Sequence, residues 1–211
     1  MNGGRDKWNQ GPTGYVEANG CLDIALRVGK ILQSNNIDVI YTRIGDYNLE
    51  PWTDKGFDLS ARADFANKNK ADIYVSIHTN AGPASAHGTE TYCYSKGGNG
   101  EKLANLIQSN LINSLGLYNR GIKTANFAVL RLTNMPAVLT EIAFHTNARE
   151  EILLKDSGSR DKMALAIASG IGKYFGITIS NELSELIAQA NKLKEQLNQI
   201  NSRIKELGGV V

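Results

Sequence analysis

Residues 71–80 read Ala-Asp-Ile-Tyr-Val-Ser-Ile-His-Thr-Asn. From Ala71 to Ile77 the stretch is apolar at most positions rather than at alternate ones. A strand of that composition suits a sheet covered on both faces. His78 follows it directly, a titratable group at the end of a buried strand, where α/β proteins build their sites. Placement alone leaves two readings of His78 open, a functional group or a histidine that is only hydrogen-bonded.

Outward from this stretch, strands and helices alternate. Upstream, Cys21, Ile24, Ala25, Val28, Ile31 and Leu32 recur at helical spacing between Glu17 and about Gln33, and Asn35-Asn36 ends that helix. Ile37 to Thr42 is rich in β-branched residues and predicts a strand. Asp58 is placed to cap a helix from Leu59 to about Asn69. Downstream, a strand is predicted at Thr89–Tyr94, a helix after Gly100 to about Leu115, a short apolar patch at Val129-Leu130, a strand at Ala137–Thr140 and a helix from Ser159 to about Phe175. This alternation predicts an α/β fold, a mixed, mostly parallel twisted sheet with helices on both faces.

Beyond Gly176 the pattern changes. Ile179, Leu183, Leu186, Ala190, Leu193, Leu197, Ile200, Ile204 and Leu207 step by four and three, a heptad seam. Two readings are open: a helix that packs back on the domain, or a coiled coil joining chains into a homo-oligomer through residues 179–207. The expected division is a domain over 1–176 and a heptad-patterned, coiled-coil-like helix over 177–211.

Composition narrows the function. The 211 residues carry a formal net charge of +2, without clustered Lys and Arg. That excludes nucleic acid as the main partner, because phosphate binding needs a concentrated basic face. No apolar run approaches the roughly twenty residues that span a bilayer, and no secretory signal is visible in the sequence as given. The two cysteines, Cys21 in a predicted helix and Cys93 in a predicted strand, are expected to be reduced parts of the packing.

Two carboxylates stand out. Glu141 ends or interrupts the apolar run Ala137-Val138-Leu139-Thr140-Glu141-Ile142-Ala143-Phe144. There it is costly unless it is paired, metal-bound or raised in pKa for proton transfer. Glu17 follows a Gly-rich turn at the start of a helix, where it also reads as a simple partner of the helix dipole.

Taken in order, several pieces resemble one family. They are the Gly-Gly loop with Glu17, Ser76-Ile77-His78-Thr79-Asn80-Ala81, and Leu139-Thr140-Glu141-Ile142-Ala143-Phe144 with Asn147. Between them stand Thr42-Arg43 with Asp46, Leu59 with Arg62, Ala66-Asn67, Gly88-Thr89-Glu90 and Arg120-Gly121. Over residues 1–176 the chain resembles the zinc-dependent N-acetylmuramoyl-L-alanine amidases of the type-3 kind, found in bacterial autolysins and phage endolysins. The resemblance implies a peptidoglycan hydrolase that cuts the amide between N-acetylmuramic acid and L-alanine of the stem peptide. It works at the cell wall or outside the cell, or waits in the cytoplasm before lysis if it is a phage lysin. The resemblance makes Glu17 and His78 ligands of Zn2+ and Glu141 the catalytic glutamate; Asn80 is a candidate substrate contact. Zinc in such a site lowers the pKa of its bound water to about 7.

The chain departs from that pattern at its start. The family's first strand ends in Gly-His-Gly-Gly, and its histidine is the first zinc ligand. Here Met1-Asn2-Gly3-Gly4 stands in its place, so the domain is expected to be N-terminally incomplete, with asparagine where the histidine belongs. His87 and His145 are weak substitutes. A second function therefore stays open beside the amidase, a degenerate, non-catalytic domain that binds cell wall and is oligomerised by its C-terminal helix.

Overall fold

The structure, a computed structural model, describes residues 9–46, 55–180 and 182–208. It divides into two compact units, 1–179 and 180–211. In the first, a helix α1 (Glu17–Ser34) and a helix α2 (Lys55–Lys68) precede strand β1 (Tyr74–Asn80) and strand β2 (Thr89–Cys93). Helix α3 (Asn99–Leu115), strand β3 (Asn119–Thr124), the single turn α4 (Ala128–Arg131) and strand β4 (Ala137–Phe144) follow. Helices α5 (Ala148–Lys155) and α6 (Ser157–Phe175) complete the unit. The four strands lie in the order β1-β4-β2-β3, with β1 parallel to β4, β2 parallel to β3, and β2 antiparallel to β4. The sheet is thus mixed and mostly parallel, as expected.

Side-chain alternation along β4 builds two cores. Val138 and Ile142 face α1, α3 and α6, where Ile24, Leu103, Ile107, Met163 and Ile167 are all fully buried. Ala137 and Leu139 face the other way, with Tyr74, against Ala66 of α2 and Val129-Leu130 of α4. Burying each large aliphatic side chain is worth about 1.5–3 kcal/mol, so both faces hold the sheet between helices. Cys21 and Cys93 are free and buried in this packing.

Several elements differ from the sequence expectations. Residues 37–42 form no strand. A strand exists only through ladder bonds to a neighbour; β1 pairs with β4, and no described strand runs along its other edge. Ile37 and Val39 still pack on the core, while Ile40 is exposed. β1 begins three residues later than expected and continues through His78, so His78 lies within the strand rather than after it. β4 runs on past Thr140, so Glu141 too is a strand residue. Asp58 is not a cap but lies in the first turn of α2, buried and paired with Arg62 at 2.8 Å.

The second unit is one helix, α7 (Glu182–Glu206). Of its heptad seam, Leu193, Leu197 and Ile200 are exposed. No helix among the described residues is long and apolar enough to cross a membrane.

Candidate functional site

The site begins with a row of residues across the sheet. In register, His78 of β1 lies opposite Glu141 of β4, and Glu141 lies opposite Glu90 of β2. Directly paired residues point to the same face, so one face carries an imidazole and two carboxylates side by side. Neighbouring strands are about 4.8 Å apart, which spaces these groups for one small substrate.

Glu17 arrives from outside the sheet. As the first residue of α1 it is 2% exposed, with its Oε1 3.2 Å from His78 Nδ1 and accepting from Thr79 N at 3.3 Å. Its Oε2 accepts from Asn9 Nδ2 at 2.9 Å. His78 Nε2 lies 3.0 Å from Ser76 Oγ. Burial lowers the pKa of His78, against the upward pull of Glu17, so the ring is neutral at pH 7 and able to bind a metal.

Glu141 differs from both. Its Oε2 is shut off from solvent and has no hydrogen-bond partner among the described residues. Burial first, then the nearby carboxylates Glu17 and Glu90, raise its pKa well above the usual carboxylate range. A carboxyl held that way can carry a proton at neutral pH. A cavity of about 450 Å³ is lined by Glu17, His78 and Glu141, together with residues 40–43 and the outer edge of β1 from Tyr74 to His78.

Several other sequence-selected residues brace the fold around these groups. Arg43 donates to the carbonyls of Ala18 and Gly45, and Arg62 Nη1 to Thr42 Oγ1 at 2.8 Å, which tethers residues 42–45 to α1 and α2. Asn67 links α2 to Leu132 and Asn134. Asn147 caps α5 by accepting from Arg149 N and Glu150 N, and donates to the carbonyls of Ala84 and Ala86. Asn80 donates to Glu90 Oε1 at 2.8 Å.

Two buried glutamates of α5 were not singled out by the sequence. Glu151 accepts from Thr13 N and Tyr15 N at 2.9–3.0 Å and so fixes the loop that leads into Glu17. Glu150 accepts from Gly88 N at 2.7 Å and Phe144 N at 2.6 Å. Gly11 makes this docking feasible, because a Cβ there would sit 2.4 Å from Glu151 Oε1 and 2.5 Å from the His145 carbonyl.

Glu17 and His78 are the donor types that zinc takes, oxygen and neutral imidazole. A catalytic zinc has three protein ligands, and among the described residues no group of three His, Cys, Asp or Glu is placed to hold a metal. His145 is buried with its Nδ1 against Thr79, and His87 is exposed with its Nδ1 on the Ser85 carbonyl, so neither joins the pair. Asn2 lies outside the described residues.

Comparison with known proteins identifies the family. The family model described as N-acetylmuramoyl-L-alanine amidase matches residues 2–173. The uncharacterized protein YqiI of Bacillus subtilis is 37% identical over 175 residues, covering 82% of this chain and 81% of that protein. The N-acetylmuramoyl-L-alanine amidase LytC of B. subtilis is 36% identical over 77% of this chain, which spans 32% of LytC. Among solved structures, the catalytic domain of the amidase CwlV from Bacillus (Paenibacillus) polymyxa var. colistinus superposes with a TM-score of 0.76 at 34% identity, covering 84% of this chain and 95% of that one. The chain belongs to the N-acetylmuramoyl-L-alanine amidase family.

Proposed function

We propose that the chain hydrolyses peptidoglycan at the amide joining N-acetylmuramic acid to L-alanine of the stem peptide, with Glu141 as its general acid–base. The observation that supports this most directly is the partnerless, buried Oε2 of Glu141, in register with His78. Glu141 takes the proton of the attacking water and delivers it to the departing amine of L-alanine. The C–N bond breaks as the new C–O bond forms, leaving a lactyl carboxylate and a free amino terminus. Glu17 and His78 are two of the residues that would hold Zn2+, which when bound supplies an acidified water and a Lewis acid for the carbonyl.

The test is to incubate purified chain with cell walls and assay new amino-terminal alanine. Release of stem peptides supports the reading, and intact glycan-bound peptides after prolonged incubation overturn it. The second reading, a non-catalytic cell-wall-binding domain, is favoured by the two-ligand count among the described residues. Near-stoichiometric zinc in the purified chain together with peptide release removes it. We place the protein at the cell wall, reached from outside the cell or from the cytoplasm at lysis. The exposed heptad residues Leu193, Leu197 and Ile200 support association of α7 with a second copy. Deleting residues 178–211 should then reduce the solution mass to that of one chain, and an unchanged mass would remove the idea.

A further inference from the structure

Beyond Glu141, the row across the sheet ends in a group the hydrolysis does not use. Glu90 is 3% exposed and accepts four hydrogen bonds. Asn80 Nδ2 and Tyr92 Oη reach its Oε1 at 2.8 and 2.7 Å. Arg120 Nε at 2.6 Å and Lys123 Nζ both reach its Oε2. Both cations come from β3, the edge strand beside β2.

The arithmetic of charge matters here. One carboxylate neutralises one cation, and the cluster holds two, so it carries a surplus of one positive charge. A purely structural role, tying β3 to β2, needs only one cation, and a second adds like-charge repulsion. Both side chains are partly exposed, 30% for Arg120 and 38% for Lys123. They are also fixed in place. Arg120 lies 4.9 Å over the Phe144 ring and donates to the His87 carbonyl at 3.3 Å, while Lys123 sits 5.9 Å over the Tyr92 ring. Cations pre-set on a buried hub bind an anion with little ordering cost.

On the amidase reading, we propose that Lys123 and Arg120 form a subsite for a carboxylate on the peptide side of the scissile amide, on the residue that follows L-alanine. The chemistry of the substrate fixes the direction. The glycan half is neutral and the stem peptide is acidic, so the cationic end of the row takes the peptide. The spacing fixes the residue. The two side chains start on β3 and their heads meet over β2, one strand from Glu141, which puts a bound anion about 5–10 Å from the reacting carbonyl. An extended peptide advances about 3.3 Å per residue, so this distance falls on the side groups of the next residue.

The probe pair is L-alanyl-D-glutamate and its twin with both carboxyls amidated, titrated into the full chain and followed by NMR shifts. Neither contains the scissile bond, so turnover does not enter. The acid is expected to bind about 5- to 10-fold more tightly than the diamide, the discrimination of a charge-assisted contact at a partly exposed site. Lys123→Gln should abolish that ratio and Lys123→Arg should restore it, with dispersed amide spectra showing both variants folded at the assay temperature, because Lys123 also supports the buried Glu90. Equal affinity of the two probes, no binding of the acid at about 10 mM, or a ratio that persists in both Lys123→Gln and Arg120→Gln overturns the subsite. Assay of peptide release from cell walls stands apart: walls left uncut by a chain that still prefers the acid would sink the amidase reading and leave the subsite.

Discussion

Two glutamates, the half-buried Glu141 and the buried Glu151, sit ten residues apart and meet opposite environments. Glu151 is fully covered, yet backbone N–H groups of Thr13 and Tyr15 point at its carboxylate. Against the upward push of burial, those donors and nearby Lys155 hold its pKa below the usual range. Glu141 has no donor on Oε2 and two carboxylates for neighbours, and its pKa is driven up. One carboxylate is solvated by the fold, and the Oε2 of the other is denied solvation. The first is how a loop is anchored, and the second is how a proton carrier is made.

The largest expected effect breaks the second half of this contrast. Glu141→Gln should reduce peptide release about 10²- to 10⁴-fold, while leaving zinc content, measured by metal analysis, nearly as in the parent chain. His78→Ala should lose the zinc as well. Near-full activity in Glu141→Gln would remove Glu141 from the chemistry.

Glu151→Gln tests the first half. The amide offers one acceptor where the carboxylate offered two, and it brings an N–H donor against backbone N–H groups. Leaving buried donors unmet costs about 1–3 kcal/mol, so denaturant midpoints should fall accordingly. Because Thr13 and Tyr15 lead into Glu17, zinc affinity should weaken in the same variant. An unchanged midpoint would show that the loop needs no anchor.

Glu90 is a third case, buried like Glu151 but met by two cations. Burial pushes its pKa up, and hydrogen bonds from Lys123, Tyr92 and Arg120 outweigh this and bring it to about 2. A folded-state pKa below the unfolded value near 4.3 means a stabilisation that is complete above about pH 4.5 and lost as pH falls toward 2. Its size is on the order of 2 kcal/mol, below the full shift because both cations are about a third exposed. Urea titrations between pH 5 and pH 2 (about the window of its titration) should show a shallower acid loss in Glu90→Gln.

The contrast also explains what could be read from the sequence. Glu141 was legible because it interrupts an apolar run, and His78 because it prolongs one; both are anomalies within a few residues. The pair Glu150-Glu151 looks like any solvated helix surface, and its burial depends on loops over 60 and 130 residues away. Strand β3, Asn-Arg-Gly-Ile-Lys-Thr, lacks a strand's apolar signature because it lies at the sheet edge and sends its cations to Glu90. Residues 37–42 err the other way: their β-branched composition is local, but a strand needs a partner. Strands β1, β2 and β4 were therefore readable, while the polar edge strand β3 and the lack of a strand over 37–42 were not.

The smallest effect is the most discriminating, because it isolates the cost of Glu141 to the fold. A carboxyl whose folded pKa is raised favours folding while protonated and opposes it once ionised. That opposition is absent below the unfolded pKa near 4.3 and grows as pH rises through the interval up to the folded value. Glutamine has the same shape and never ionises. Measured with chelator present, Glu141→Gln should melt with the parent chain at pH 4 and above it at pH 7, by roughly 2–4 °C for about 1 kcal/mol in a unit of this size. Parallel curves at both pH values would mean that Glu141 is comfortably ionised in the fold. The same residue would then lose its claim to carry the proton, since only a carboxylate that the structure resists ionising has reason to take one back.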